Sequence, residues 1–573
     1  MKGCLETLLP LLRLWQVKAL EKCITWWFQV GIDNHFILNT APASGKTKAS
    51  CAIAQMLFER GEIERVIVIA PQIEVVDSWA EDFEKITGRV MGKVTAKDGD
   101  LSQVRMDICA TWHAVLGLQQ ELQSVCLSQP TLVICDESHH AAVSAAWGSS
   151  GSSAFAQAKF VLVLSGTPYR SDGRDSLYLE TNGRGNIQQP EAGRYELNYG
   201  EAVELGYCRP ATFHRHQGTF QVNLDEENSL EVSGYQSANL TGNLRSVPGL
   251  QNSLDFYRLA CVPQYESDNM TPMRSGFQGT MMEYGSQKLD DLRLRMHNAG
   301  GLVIAPSIAM AEYFCDLIEL VEGERPLLVH SELNNAESRI KLFRKGTMRW
   351  IVSVDMISEG VDIPRLRVLV YLPRAQTELK FRQALGRVVR STGPEDDTRA
   401  YVIMPSFQTF DAYARRAEQE MPRGVRRDPG PARSKVCPIC ESESAVSAKT
   451  CRECGHDFPR TPPRLKPCAE CDGLNEMSAE DCIFCGHSFT SSFSITLTEA
   501  LRTGAIAHGM DISENEVQAS EEIAHQFREG ALKSGDEILI KLVTTHSEES
   551  FWKIVNFCAP YAPNNTNQKK QEV

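Results

Sequence analysis

The chain has 573 residues, 42% hydrophobic and 23% charged, with 59 Lys and Arg against 73 Asp and Glu for a formal charge of −14. That length is a prior for about three or four domains and excludes a peptide or small disulfide knot, while the composition excludes wholesale disorder. No apolar run approaches the roughly 18 to 20 residues of a bilayer-spanning helix, Glu6 and Arg13 break the apolar start, and the acidic total argues against a non-specific nucleic-acid coat, so a cytoplasmic protein with no membrane partner is expected.

Short β-branched runs alternate with helical patterns, the sign of parallel sheets with crossover helices. Phe36-Ile37-Leu38 reads as a strand and Asn39 to Thr47 (NTAPASGKT) as a loop. Ala49, Ala52, Ile53, Met56 and Leu57 then fall at helical spacing. Such a loop cradles phosphate oxygens with backbone N–H groups around Ser44 and Gly45, Lys46 reaches the phosphates, and the Thr47 hydroxyl holds magnesium. A chance Gly-Lys-Thr on a turn is the competing reading, because Thr40 replaces the first Gly of the G-x4-G-K-[ST] pattern.

Val66 to Ala70 reads as the next strand, followed by a helical stretch through Val75, Val76 and Trp79. Leu132 to Cys135 is a buried strand that delivers Asp136-Glu137-Ser138-His139. There Asp136 can sit in a magnesium shell while Glu137 orients and deprotonates a water, although an acidic pair after a strand is also a common turn. Phe160 to Leu164 is a further strand ending in Ser165-Gly166-Thr167-Pro168-Tyr169-Arg170.

Taken in this order, the segments resemble a superfamily 2 helicase of the DExH class, built from two RecA-like lobes. The P-loop corresponds to Thr40 through Thr47, the DExH box to Asp136 through His139, and the Ser-Ala/Gly-Thr-Pro motif to Ser165 through Pro168. The resemblance places Gln16, in Leu12-Arg13-Leu14-Trp15-Gln16, against adenine. It also implies a second lobe. Leu302 to Ala305, Leu327 to Ser331 and Ile351 to Asp355 read as its strands, Ser358 to Pro364 is similar to motif V, and Gln383 to Arg390 matches Q-x-x-G-R-x-x-R in full. From the family, Gly360, Asp362 and Gln383 would contact the nucleotide, and Arg387 and Arg390 would meet the γ phosphate as transition-state arginines. Their planar, permanent charge suits that role, and a spacing of three puts them on one helix face.

Residues 171 to 298 carry few chemical signals. Tyr199 to Pro210 resembles the segment by which restriction-type motors leave their first lobe, Gln217 to Gln251 reads as loop or insertion, and a helical stretch is expected near Lys288 to His297.

Eight of the 18 cysteines fall within 49 residues as two C-x2-C-x10-C-x2-C sets, displaced by 31 residues. Cys437, Cys440, Cys451 and Cys454 form the first, and Cys468, Cys471, Cys482 and Cys485 the second. Gly455-His456-Asp457-Phe458 returns as Gly486-His487-Ser488-Phe489, so the unit is duplicated. Four thiolates at this spacing suit one tetrahedral zinc ion per set, with disulfides and a rubredoxin-like iron site as alternatives. The other ten cysteines, such as Cys135, read as buried small hydrophobes. Residues 423 to 466 hold ten basic and five acidic side chains, a net of +5 that opposes the sign of the chain. A stretch of that kind can track a phosphate backbone, or it can be a solvated linker. Glu514 to Glu529 has an amphipathic helical pattern, and Ala559 to Val573 looks like a frayed tail.

The expected fold is α/β: two RecA-like parallel-sheet lobes, tandem zinc ribbons and a C-terminal helical domain. Lobe one spans 1–185, a connecting or insertion region 186–298, lobe two 299–412, a basic linker 413–436, the ribbons 437–458 and 468–489, the helical domain 490–560 and the tail 561–573. The expected activity is ATP-dependent translocation on, and unwinding of, DNA, with ATP, magnesium and two structural zinc ions. The alternatives are a duplex-DNA translocase of a restriction or phage-defence complex, an RNA helicase, and a zinc-ribbon binding module whose ATPase has decayed. Protein partners are expected through the ribbons or the helical domain.

Overall fold

The computed structural model describes residues 12–71, 73–94, 101, 107–138, 154–166, 177–179, 187–223, 229–236, 239–240, 254–333, 335–354, 363–393, 396–425, 434–446, 448–451, 453–458, 465–468, 471, 473–476, 479, 481–486 and 492–496. None of their helices is long and apolar enough to cross a membrane.

Lobe one is a seven-stranded sheet. Its strands are β1 (His35–Thr40), β2 (Arg65–Ala70), β3 (Met91–Val94), β4 (Asp107–Thr111), β5 (Thr131–Asp136), β6 (Phe160–Ser165) and β7 (Arg194–Leu197), in the order β3-β4-β2-β5-β6-β1-β7. Every pair is parallel. All residues of β5 and β6 are buried, which explains why they read as continuous apolar runs: crossover helices cover both faces of a parallel sheet. The crossover helices include α2 (Lys46–Glu59) and α3 (Ile73–Thr87), and α1 (Leu14–Thr25) precedes β1.

Lobe two follows β8 (Ala211–His216) and the antiparallel pair β9 (Thr219–Asn223) and β10 (Ser229–Ser233). It comprises α4 (Phe277–Arg293), β11 (Gly300–Ile304), α5 (Ile308–Glu322), β12 (Leu327–Val329), β13 (Trp350–Ser353), β14 (Leu366–Tyr371), α6 (Glu378–Val388), β15 (Ala400–Pro405) and α7 (Gln408–Glu420). The sheet order is β12-β13-β11-β14-β15-β8, again parallel throughout. Local chemistry sets the helix limits. The Ser307 and Thr377 side chains accept from the N–H groups of Met310 and Lys380 at the starts of α5 and α6, and Gly323 at φ +73° ends α5.

The region expected to connect the lobes is divided between them. β7 pairs with β1 in lobe one and β8 pairs with β15 in lobe two. Both are edge strands, and their partners lie more than 150 residues away, so no local pattern announces them. The polar stretch expected as a loop contains β9 and β10, whose alternate residues Phe220, Val222 and Val232 are buried. A third strand, β20 (Ser492–Thr496), joins β9 in parallel with Phe493 opposite Phe220. The segment expected to turn helical from 490 therefore begins as a strand, with the period-two pattern Ser-Phe-Ser-Ile-Thr. Residues 497–573, including the expected helix and tail, lie outside the described residues.

Between lobe two and β20 stand two small hairpins, β16 (Ser434–Val436) with β17 (Glu443–Ala445), and β18 (Leu465–Pro467) with β19 (Leu474–Glu476). The first is tied to lobe two: the Val436 N–H donates to the Leu294 carbonyl at 2.7 Å, and Arg295 pairs with Asp397 at 2.7 Å and Glu443 at 3.8 Å.

Candidate functional site

The loop between β1 and α2 crosses the carboxyl end of the sheet, and α2 starts at Lys46 with no side chain capping its first turn. Its leading N–H groups and positive dipole end are therefore available to an anion. Gly45 has φ +103°, and a Cβ there would come within 2.9 Å of Gln16 Nε2, so both the conformation and the space demand glycine. Ala43 takes a left-handed φ of +69°, a conformation that favours glycine.

Gln16 is buried behind this loop. Its Nε2 donates to the Gly45 carbonyl and its Oε1 accepts from the Arg13 N–H, both at 2.8 Å. Arg13 itself donates to the Ser44 carbonyl at 2.8 Å, and the Ser44 hydroxyl donates to Thr40 Oγ1 at 3.0 Å. Thr40, at the position where the pattern has a glycine, thus braces the loop from within. Gln16, Ser44 and Gly45 do not line the neighbouring cleft; Pro42, Ala43, Lys46 and Thr47 do.

At the end of β5 the two acids diverge. Glu137, held at a left-handed φ of +47°, accepts from Lys46 Nζ at 2.7 Å. Asp136 faces two indoles: Trp79 Nε1 on α3 donates to its Oδ2 at 2.7 Å, and Trp112 Nε1 donates to its main-chain carbonyl at 3.3 Å. Burial, and then the adjacent Glu137 charge, push the Asp136 carboxyl up to about 6 against the opposing pull of Lys46 and of the Trp79 hydrogen bond. The sequence placed Trp79 only within an expected helical stretch, and in the structure it is buried on α3. Its bond to Asp136 is a 57-residue contact with no sequence signal.

Lobe two supplies the facing wall. Gln383, Arg387 and Arg390 line a cleft together with Lys46, Asp136 and Glu137. The two arginines do not share a helix face as expected. α6 ends at Val388, and Arg390 is presented beyond it by a bridge to Cys208. Buried Gln383 Oε1 has no hydrogen-bond partner among the described residues. The lobes meet closely here: a Cβ on Gly386 would lie 2.5 Å from Pro42 Cβ.

The segment Tyr207 to Arg209, which leads into β8, ties the two walls together. The Arg13 guanidinium lies 4.8 Å from the Tyr207 ring centre, Cys208 Sγ donates to the Pro42 carbonyl at 3.5 Å, and the Arg209 N–H donates to the Val389 carbonyl at 2.7 Å. The buried Arg209 side chain bonds the Arg390 carbonyl and pairs with Asp396 at 2.7 Å, and Arg367 pairs with the same carboxylate at 3.3 Å. Gly360 and Asp362 of the expected motif V, His139, and Thr167 to Arg170 lie outside the described residues.

Two family models match the chain, one per lobe: the res subunit of type III restriction enzymes over residues 10–170, and the helicase conserved C-terminal domain over residues 286–392. Over these two segments the chain is similar to superfamily 2 helicases. Among curated relatives, an uncharacterized protein of Mycobacterium tuberculosis is 28% identical over 395 residues, which cover 69% of the chain and 61% of that relative. The DNA 3'-5' translocase XPB2 of Sulfurisphaera tokodaii is 23% identical, covering 61% of the chain and 74% of the relative. A solved fragment of a putative HsdR subunit of a type I restriction enzyme from Vibrio vulnificus aligns over 70% of the chain and 66% of the fragment, with 14% identity and a TM-score of 0.46.

The chain also carries two candidate metal centres. In each set of four cysteines the sulfurs lie within 4.8 Å of one another. Cys437 and Cys454 are 3.5 Å apart, and Cys440–Cys451, Cys468–Cys485 and Cys471–Cys482 are each 3.6 Å apart. These separations are far beyond a disulfide bond of about 2 Å. They are close to the edges of about 3.8 Å that a tetrahedron with metal–sulfur bonds of about 2.3 Å requires. Gly455 and Gly486 both have φ +74°, so the duplication extends to the turn beside each set. Cys23, Cys51, Cys109, Cys126, Cys135, Cys208, Cys261 and Cys315 are buried and free, and burial pushes their thiols up, Cys126 to about 11. They stay protonated at neutral pH, as buried hydrophobes do.

Proposed function

We propose that the chain is an ATP-driven motor that translocates on DNA and separates its strands. The observation that carries this reading is the cleft between the lobes, where Lys46, Thr47, Asp136 and Glu137 face Gln383, Arg387 and Arg390. A magnesium nucleotide fits these residues. The uncapped N-terminus of α2 and the cramped Gly45 turn form a phosphate cradle, and the orphaned Gln383 oxygen awaits a donor.

In this reading Lys46 exchanges its bond to Glu137 for phosphate oxygens, which leaves Glu137 to orient and deprotonate the attacking water. Thr47 and Asp136 would hold magnesium, which when bound draws charge from the phosphates. Arg387 and Arg390 stabilise the charge spread over the transferring group from the opposite lobe. Gln16 holds the Gly45 turn from behind, and a contact with adenine would require its amide to leave the Gly45 carbonyl and the Arg13 N–H. Closing the cleft around nucleotide and opening it after hydrolysis would ratchet a bound strand. The basic stretch from 423 to 466 is the candidate track for phosphates outside the lobes, and two zinc ions would close the cysteine sets as structural ribbons.

Similarity to a DNA translocase and to a restriction subunit supports DNA over RNA, and the former supports a second reading in which the motor moves on duplex DNA without unwinding it. ATP hydrolysis measured with single-stranded DNA, duplex DNA and RNA tests the substrate, with DNA stimulation expected. Strand displacement read beside triplex displacement separates the two readings. Lys46→Ala and Glu137→Gln should each abolish stimulated turnover; wild-type rates in either would overturn the site. Elemental analysis should find two zinc ions per chain, and iron or no metal would refute the ribbons.

A further inference from the structure

The Trp79–Asp136 contact joins a helix of the lobe-one surface layer to the cleft. Trp79 is 1% exposed and Asp136 8% exposed, yet both line the cleft. An indole in an apolar layer has one polar atom, and here that N–H points at carboxylate Oδ2 over 2.7 Å. Trp112, from the helix that follows β4, holds the main-chain carbonyl of the same residue at 3.3 Å. The backbone and the side chain of Asp136 are therefore each held by a separate indole.

We infer that Trp79 is a positioning residue for the magnesium site: by occupying Oδ2 it sets the carboxylate plane and presents Oδ1 to the ion. An aspartate has two rotatable bonds, and a carboxylate left to turn would have to be ordered when the ion arrives. One fixed donor removes that cost beforehand, as hydrogen bonds behind metal ligands generally do.

The inference rests on the nucleotide reading above, and one experiment distinguishes the two. Binding of methylanthraniloyl-ATP to the full-length protein is followed by fluorescence during magnesium titration, for the wild type, Trp79→Phe, and a chain with 3-benzothienylalanine at position 79. The last keeps the bicyclic shape and lacks the N–H, so it isolates the hydrogen bond even where phenylalanine disturbs folding. Wild-type binding that ignores magnesium would overturn both the reading and the inference. With magnesium-dependent wild-type binding, both replacements should raise the half-saturating magnesium concentration by about 10-fold, the lower end of the effect of removing a partner behind a metal ligand. Turnover at saturating magnesium should change much less. Unchanged half-saturation in the benzothienyl protein would overturn the role of Trp79 and leave the nucleotide site standing.

Discussion

Asp136 shows how a single buried carboxyl links stability to readiness for a cation. Its folded value of about 6 stands above the ordinary 3.8, so the folded state holds the proton more tightly than the unfolded chain does. Folding stability therefore declines as pH rises from about 4 through 6, and the cost is complete above that window. Asp136→Asn removes the charge. In metal-free buffer it should stabilise the chain by about 3 kcal/mol at pH 8, with the gain shrinking toward pH 4, as denaturant melts at several pH values would show. The same variant should lose magnesium-dependent hydrolysis. A residue kept at a cost to the fold is expected where function demands it, and the left-handed Glu137 beside it fits the same pattern.

At the scale of elements, the exit from α6 depends on a buried ionic cluster. Asp396 receives Arg209, Arg367, the Thr392 N–H and hydroxyl, and the Thr398 hydroxyl. Burial works to raise its pKa, but Arg367 and these donors hold it below the ordinary value. Its contribution is present above the unfolded carboxylate range and is lost as pH falls through the lower folded value. Asp396→Ala leaves two buried guanidinium groups without their anion and should cost about 3 to 5 kcal/mol in a denaturant melt at pH 7. Because Arg209 also bonds the Arg390 carbonyl, any folded variant should lose ATPase activity as the segment carrying Arg390 relaxes. The helix pattern around Gln383 was legible in sequence, whereas the departure of Arg390 from the helix was not. The bridge to Cys208 that presents it spans 182 positions.

For the whole molecule, the decisive feature is the approach of the lobes. A methyl group at Gly386 would meet Pro42 at 2.5 Å, closer than packed carbons allow, so Gly386→Ala should force α6 away from the loop between β1 and α2. Since a shift of about 1 Å can cost roughly 100-fold in rate, stimulated hydrolysis should fall by that order while each lobe remains folded. Normal activity in this variant would mean that the lobes do not meet this way during turnover.

The sequence by itself determined what depends on neighbours along the chain. Buried strands read as apolar runs, glycines stand where turns require them, and Gly-Lys-Thr, Asp-Glu and Q-x-x-G-R-x-x-R stand at strand or helix ends because each chemistry needs its residues locally ordered. The paired cysteine sets were equally plain, since a four-sulfur site is built from short spacings. Tertiary structure alone decided what joins distant segments: the edge strands β7 and β8, the strand β20, the indole on Asp136, and the strut from Tyr207 to Arg209 between the cleft walls. Period and motif report on residues a few positions apart. A hydrogen bond between residues 57 or more positions apart leaves no such trace, because only the folded sheet brings its partners within 3 Å.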